Sequence, residues 1–291
     1  MVSKDKSMTT RSDRTQSAVT KVGADFPGFL AAYAENDDSL SGVVERRIVP
    51  RIKIIQQMTD TKLKAQYGEG SAVLVQAGLK IASAGESFHF VPIFYYEEWI
   101  TWGDRRDPNS PMIIEKSTDP NSEVAMKAQD PDRRFEEYAP PPKKGERPLQ
   151  RRHVEHLNFV GVLYGSGGER VPVVISFSRG EHYAGCNFCT AISTRRVGKA
   201  IAPLWSQVWK MTVNLRERDG NKWFGLDASN PDPEIQSAYI MEEEAEEFKQ
   251  QFELFKSLHK MHAVEVDRTD EDDADEVSVS STDADHLDGV S

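Results

Sequence analysis

The feature that most constrains the fold is the segment FHFVPIFYYEEWITW (88–102), where aromatic and β-branched residues dominate. Such a run favours a long β-strand, and Pro92 indicates a sheet edge or a bulge. Side chains alternate along a strand, so alternate residues should form one core face unless a bulge shifts the register. The members of that predicted face are Phe88, Phe90, Phe94 and Tyr96. Tyr95 and Trp99 then lie on the opposite face, where they could stack on flat ligands.

The remaining patterns predict a β-rich α+β fold. Strand-like segments recur at 47–58, 71–83, 111–118, 156–165, 170–178, 205–218 and 222–229. Two hairpins are expected, one from 156 to 178 and one joined by Asp219-Gly220. A short helix is expected at 182–194, and a terminal helix is indicated by the helical spacing of Phe248, Phe252, Phe255 and Leu258. Together they predict an OB-like antiparallel β-barrel with insertions, a C-terminal helix and disordered termini.

Composition divides the chain into three parts. Residues 1–24 are predicted to be a disordered N-terminal segment, and 25–262 a β-rich domain with a flexible, proline-rich insertion at about 119–152. Residues 263–291 are predicted to be a disordered acidic tail. From 265 onward eleven acidic residues face one basic residue, Arg268, which gives −10 of the net −11 of the whole chain. The part before the tail is therefore close to neutral and can carry a basic face.

The chain shows none of the catalytic motifs that would settle its function. Phosphate-binding loops, nucleophile elbows and zinc-protease motifs are missing, and Gly165, Gly167 and Gly168 join two strand-like runs as a hairpin turn would. We therefore expect no enzyme and no catalytic residue. The N-terminus has no apolar signal segment, and no run reaches the roughly 18 apolar residues of a membrane helix. A cytoplasmic location without membrane contact is expected.

The two cysteines allow two interpretations. Cys186 and Cys189 form a CxxC motif, and with His153 and His156 they could supply a Cys2His2 zinc site. The alternative, which the surrounding aromatic residues favour, is that both cysteines pack as small hydrophobes in a short helix. We expect no cofactor, with zinc as the open alternative.

Basic residues stand beside aromatic ones at several places, as binding of single-stranded nucleic acid requires. The candidate binding residues are Arg51, Lys53, Tyr95, Trp99, Trp102, Arg105, Arg106, Arg195, Arg196, Lys199, Lys210, Arg216, Arg218 and Trp223. A further basic set is Lys143, Lys144, Arg147, Arg151 and Arg152. The alternative for each cluster is that its tryptophans pack in the core and its basic residues lie on a solvated face. The acidic run Asp270, Glu271, Asp272, Asp273, Asp275 and Glu276 is predicted to bind partner proteins, with a solubility tail as the alternative.

Four stretches carry a resemblance to a known family: PRIKIIQ (50–56), FVPIFYYEEWITWG (90–103), the hairpin at 156–178 and DEDDADE (270–276). Together they resemble the single-stranded DNA-binding proteins of tailed bacteriophages, which combine an OB-type barrel with an acidic tail. The resemblance implies a non-enzymatic protein that coats single-stranded DNA during phage replication or recombination in the bacterial cytoplasm. It also implies that the tail meets replication proteins, although tails of that class commonly end in an aromatic residue and this one ends in LDGVS.

Two other functions stay open from the sequence. One is a phage structural or assembly protein without nucleic-acid affinity, in which the aromatic residues only form the core. The other is a zinc-containing interaction protein that uses Cys186 and Cys189. Assembly into a homo-oligomer is compatible with each of these functions.

Overall fold

The computed structural model describes residues 48–164, 170–218, 220–231 and 239–261, together with 264, 266 and 268. Within them the fold is β-rich, with antiparallel sheets and four α-helices. The strands are β1 Lys53–Ile54, β2 Ala72–Leu74, β3 Leu79–Ala82, β4 Ser87–Trp102, β5 Ile113–Ser117, β6 Phe135–Ala139, β7 Leu149–Tyr164, β8 Arg170–Ser178, β9 Arg196–Val197, β10 Ala200–Ile201, β11 Trp209–Arg218 and β12 Asn221–Ser229. The helices are α1 Thr61–Tyr67, α2 Glu123–Gln129, α3 His182–Thr194 and α4 Ala245–Lys260. Short 3-10 turns occupy Arg179–Glu181, Leu204–Ser206 and Glu242–Glu244.

Two strands of 16 residues each, β4 and β7, form the centre of a seven-stranded antiparallel sheet. The outer edge of β4 pairs with β11 near its start and with β5 near its end. The outer edge of β7 pairs in the same way with β6 and β8, and β12 lies beyond β11. A three-stranded sheet, β1-β2-β3, and a two-stranded ribbon, β9-β10, are separate from it.

Both predicted hairpins are confirmed by the strand pairing. Strands β7 and β8 run antiparallel, and the glycine-rich turn between them lies outside the described residues. In the second hairpin Arg218 is opposite Asn221, which leaves a two-residue connection. Gly220 in that connection has a φ of +80°, a conformation that glycine adopts without steric cost. The predicted helices at 182–194 and near the C-terminus correspond to α3 and α4.

A bulge at Ile93 changes which side chains of β4 share a face. Pro92 is opposite Gly161 and Phe94 is opposite Val160, so Ile93 is the extra residue. Before the bulge Phe90 faces one core cluster, but after it Phe94 and Tyr96 face the other, while Tyr95 joins Phe90. The prediction of one shared face for the four aromatic residues is therefore wrong beyond Pro92.

Both faces of the sheet are covered, which explains why β4 is apolar on both sides. The first face contains Phe90, Phe159 and Phe177 and packs against Phe188 of α3 and against the small β1-β2-β3 sheet. The second face packs against α4, whose Phe248 is fully buried. Each such side chain stabilises the fold by roughly 1.5–3 kcal/mol through removal from water.

Residues 50–56 and a glutamate form hydrogen bonds to the outer edges of β8 and β12. Ile52 and Pro50 hydrogen-bond to Val174 at the outer edge of β8, with N···O distances of 2.9 Å. At the outer edge of β12 the Gln56 amide donates to the Phe224 carbonyl (2.7 Å) and accepts from the Phe224 N–H (2.8 Å). Glu181 accepts from the next outward N–H, that of Leu226 (3.1 Å). Among the described strands the sheet does not close into a barrel, so the expected OB-like barrel is not confirmed.

The segment expected to be a flexible insertion (119–152) contains regular structure. Helix α2 begins after Ser122, whose hydroxyl accepts a hydrogen bond from the Ala125 N–H, and it packs against Trp99. Strand β6 follows and pairs with β7. The many prolines stand between these elements rather than within them, which is why composition alone suggested a loop.

The start of the predicted acidic tail lies on the body of the protein. Val266 forms a parallel bridge with Val49, and Arg268 is only 6% exposed. The segment 1–24 and most of the predicted tail lie outside the described residues. None of the described helices is long and apolar enough to cross a membrane.

Candidate nucleic-acid interface

The predicted binding residues lie in separate regions of the sheet. Lys210 is opposite His89 near the start of β4, whereas Trp102 ends that strand. At about 3.3 Å per residue the two positions are about 40 Å apart. Arg105 and Arg106 follow Trp102, and Arg218 and Trp223 belong to the β11-β12 hairpin. The structure therefore does not bring the whole predicted set together.

The aromatic candidates of β4 are packed in the protein. Trp99 is 1% exposed and contacts α2, and Trp102 is 6% exposed and packs with Ile100. Tyr95 is partly buried, with its hydroxyl donating to Glu97 (2.7 Å) and its ring 4.9 Å from that of Phe159. Stacking of a base on any of these rings would require their covering side chains to move.

Two arginines that were predicted to bind phosphate, Arg106 and Arg216, instead form hydrogen bonds and ion pairs with groups of the protein itself. Arg106 donates to Asp104 and to the carbonyl groups of Arg147 (2.9 Å) and Pro148 (2.8 Å). Burial of Asp104 is outweighed by the hydrogen bonds from Arg106 and from the Gln150 N–H, and they lower its pKa to about 2. Arg106 thereby ties the loop after β4 to the start of β7.

The second of these two arginines, Arg216, and the nearby Trp223 both contact Glu181. Arg216 forms ion pairs with Glu181 (2.9 Å) and Asp227 (2.9 Å). The Trp223 indole donates to Glu181 (2.7 Å), and Arg218 is exposed at the end of β11. Of the two candidates in residues 50–56, Lys53 is 5% exposed, and the backbone of Arg51 forms a β-bridge with Val174.

A cluster of three basic side chains, the arginine cluster, does lie at one end of the sheet: Arg105, Arg147 and Arg152. Burial of Arg152, followed by the charges of Arg147 and Arg105, lowers the pKa of the Arg152 guanidinium, and the charge of Asp104 opposes this shift in part. Among the described residues no carboxylate forms an ion pair with Arg152. Since a partly buried cation is normally paired, this arrangement favours binding of an anion.

An exposed aromatic ring accompanies the arginine cluster. Phe135 of β6 is opposite Arg152 of β7, is 46% exposed, and lies 5.4 Å from the Arg152 guanidinium. Arg151 covers Tyr138 in a similar way, at 5.1 Å. The sequence pattern had identified the basic residues of this region but not Phe135, because RRFEEY was interpreted as part of a loop.

Arg179 reaches the same end of the sheet from the turn after β8. Its φ of +50° is unusual for a residue other than glycine, and its guanidinium lies 5.9 Å from the Trp102 ring. Trp102 is opposite Arg152, so Arg179 and Arg152 lie on the same face. A strained backbone is often retained at functional sites, and sequence patterns cannot reveal it.

A second basic region, the β9-β10 ribbon and its base, contains predicted residues that the structure does bring together. Arg196 and Lys199 are exposed on the ribbon. Arg195 lies 3.7 Å above the ring of Trp209, and its burial lowers its pKa. Lys210 follows Trp209 directly. Trp209 itself is 3% exposed, so it supports Arg195 instead of offering a free face.

The predicted Cys2His2 ligand set is not assembled. His153 and His156 point to opposite faces of β7, where His153 bonds Thr101 (2.9 Å) and His156 contacts Arg268 (3.2 Å). Cys186 lies 3.6 Å from His182 on α3, and burial raises the pKa of both thiols. Within the described ranges no three His, Cys, Asp or Glu side chains are placed to hold a metal ion.

A buried polar pocket on the second face holds Arg268. Its guanidinium donates to Glu98 and to Asn158 (3.3 Å), and it contacts His156. Glu98, Asn158 and His156 are each at most 7% exposed. Sequence reasoning missed this site because Arg268 is surrounded by acidic residues in an apparently unstructured tail.

A family model described as Pam3 phage gp34-like protein matches residues 24–261, most of the 291-residue chain. The chain is therefore a bacteriophage protein. It belongs to the Pam3 phage gp34-like family. No curated protein and no solved structure matches it.

Proposed function

We propose that this phage protein is a non-enzymatic single-stranded DNA-binding protein that acts in DNA replication or recombination in the bacterial cytoplasm. The observation that carries the proposal is the arginine cluster, where Arg152 has no carboxylate partner among the described residues and lies over the exposed ring of Phe135. Binding of single strands combines phosphate contacts with stacking of bases on aromatic rings, each stacked base contributing roughly 1–3 kcal/mol.

Single-stranded DNA fits this surface better than an enzyme substrate does. The cluster combines arginine side chains with the exposed ring of Phe135, which is the pairing that phosphates and bases of a single strand require. The ribbon about 40 Å away offers a second basic contact, and an extended strand can reach both. No cofactor is needed for such binding.

The fold is compatible with an OB-type origin. Five strands, β12-β11-β4-β7-β8, form one antiparallel sheet, and residues 50–56 contact both of its outer edges. In the proposed function the acidic run 270–276 recruits replication or recombination proteins, and copies of the chain can assemble along the strand.

The test compares variants of the full chain for binding of fluorescently labelled oligo-dT at low salt. Replacing Arg147 and Arg152 by Gln should weaken binding at least tenfold, because each lost charge-assisted hydrogen bond contributes roughly 1.5–3 kcal/mol. Lys62→Gln on α1 is the matched control and should bind as the wild type does. Equal melting temperatures exclude misfolding as the cause.

Two results would oppose the proposal. Unchanged affinity of the Arg147→Gln/Arg152→Gln variant would remove the arginine cluster from the interface. A wild-type protein that shows no affinity for oligo-dT at low salt, but self-associates, would point to the structural or assembly function instead.

A further inference from the structure

The β9-β10 ribbon stands apart from the rest of the described fold. Strands β9 and β10 pair only with each other, and all six residues from 196 to 201 are exposed. The turn at its tip is Gly198-Lys199, where Gly198 has a φ of +61° and a Cβ added to it would meet no atom within 4 Å. The ribbon therefore projects into solvent.

The base of the ribbon is held firmly despite this exposure. The Ala202 N–H donates to the Arg195 carbonyl (3.0 Å), and the Tyr239 hydroxyl donates to the Arg196 carbonyl (3.3 Å). Arg195 is fixed against the Trp209 ring. Because its two ends are held in place, the ribbon can keep its position when a ligand binds to it.

The ribbon and the segments that flank it in sequence carry basic and no acidic residues. Between His182 and Arg216 the sequence contains no Asp or Glu, although the chain has 47 acidic residues. The bases in this stretch are Arg195, Arg196, Lys199, Lys210 and Arg216. Such a segment is complementary to phosphate.

Two large apolar side chains on the ribbon are exposed. Val197 is 56% exposed and Ile201 is 55% exposed. Val197 is paired with Ala200, and Ile201 with Arg196, so the two apolar side chains lie on opposite faces of the ribbon. Exposed apolar side chains beside basic residues have the composition of the wedges that proteins insert between stacked DNA bases.

We propose that the ribbon is a wedge that inserts at the junction between duplex and single-stranded DNA and holds the last base pairs open. Arg196 and Lys199 bind the flanking phosphates. Because Val197 and Ile201 lie on opposite faces of the ribbon, one of them covers the last base pair and the other packs against the first unpaired base. This inference rests on the proposed single-strand binding, and it adds a junction as the preferred DNA substrate.

Charge decides between DNA and a second copy of the chain as the occupant. Two ribbons facing each other would bring together at least four positive charges, those of Arg196 and Lys199 in each copy. Repulsion between them opposes a ribbon–ribbon contact, whereas the phosphates at a DNA junction neutralise the same charges.

The test uses the full chain and a forked duplex that carries 2-aminopurine at the first base pair of the duplex. Binding should raise 2-aminopurine fluorescence as the base unstacks. The double variant Val197→Ser/Ile201→Ser should lose most of that rise and about tenfold of the preference for the fork over single-stranded oligo-dT, since apolar contact is lost. The affinity of this variant for oligo-dT alone should stay within about twofold of the wild-type affinity, because its basic residues Arg196 and Lys199 are unchanged.

Leu215→Ser on β11 is the matched control, since Leu215 is also 55% exposed but lies outside the ribbon. It should behave as the wild type does. An unchanged fluorescence rise in the ribbon variant, or a wild type that binds oligo-dT without any fork preference, would overturn the wedge while leaving the proposed function intact. Loss of self-association in the ribbon variant, measured by ultracentrifugation without DNA, would overturn it in favour of a contact between copies. Absence of all DNA binding would instead refute the proposed function itself.

Discussion

At the scale of single residues, Arg268 holds the segment that precedes the acidic run 270–276 against the body of the protein. Its guanidinium is buried against Glu98, and both side chains are at most 9% exposed. Burial of such a pair gives little net stability, but removal of one partner leaves an uncompensated charge. The contact is therefore sensitive to single substitutions.

Replacing Arg268 by Ala should destabilise the protein by about 3–5 kcal/mol, because Glu98 stays buried without its cation. Chemical denaturation measures the loss. Lys249→Ala, an exposed change on α4, should alter the free energy of unfolding by less than about 0.5 kcal/mol. The double variant Glu98→Gln/Arg268→Gln should recover part of the loss, and equal stability of Arg268→Ala and wild type would show that the pocket does not need Arg268.

Asp104 should make stability depend on acidity. Its pKa of about 2 lies below its ordinary value of 3.8, so the folded state favours the charged form. That contribution is complete above about pH 4 and is lost as the pH falls towards 2. Asp104→Asn should therefore be less stable than wild type by about 1–2 kcal/mol at pH 7, and the difference should vanish near pH 2. A difference that is constant from pH 2 to 7 would contradict this assignment.

At the scale of elements, the bulge in β4 decides which aromatic side chains reach which core. It occurs where Pro92 faces Gly161, and a Cβ at Gly161 would lie 2.2 Å from the Val91 carbonyl oxygen. The close approach of the two long strands therefore requires glycine at this position.

Gly161→Ala should destabilise the protein by about 1–3 kcal/mol or more, because the obstacle is backbone and cannot rotate away. Thermal or chemical unfolding provides the measurement. Gly180→Ala is the matched control, since the nearest atom to its Cβ is 3.7 Å away and belongs to the Trp223 ring. If both variants unfold alike, the strands are not in contact at the bulge as described.

The elements show what the sequence could predict. Helix α3, the β7-β8 hairpin and the Asp219-Gly220 hairpin were predictable, because local periodicity and turn chemistry determine them. The bulge register was not, because a one-residue shift depends on packing across strands. Likewise, the pairing of Phe135 with Arg152 depends on long-range strand pairing, whereas the basic residues of the ribbon were adjacent in sequence and easy to identify.

At the scale of the whole molecule, Arg268 contacts the same face of β7 on which Arg152 of the arginine cluster lies. His156, which contacts Arg268, is four residues from Arg152, or about 13 Å along the strand. The acidic run begins two residues after Arg268 and is long enough to reach the cluster at about 3.5 Å per residue. If the protein binds DNA as proposed, the length of the chain after Arg268 allows the run to compete with DNA for the arginine side chains.

Removal of residues 270–291, which keeps Arg268, should tighten binding of oligo-dT by roughly threefold to tenfold at low salt. The gain should disappear at high salt, because the competing attraction is screened. Changing the six acids of 270–276 to amides should reproduce the effect without shortening the chain. Equal affinities of the three proteins at low salt would show that the run does not compete.

Single-strand binding is measured by titrating the wild-type protein with single-stranded and double-stranded oligonucleotides of equal length over a range of salt concentrations. We expect tighter binding of the single strand than of the duplex. The logarithm of its binding constant should fall linearly with the logarithm of the salt concentration. The slope should be about −2 or steeper, because three arginine–phosphate contacts contribute about −0.7 each. Binding that is independent of salt, or no affinity for the single strand at the lowest salt, would contradict the account.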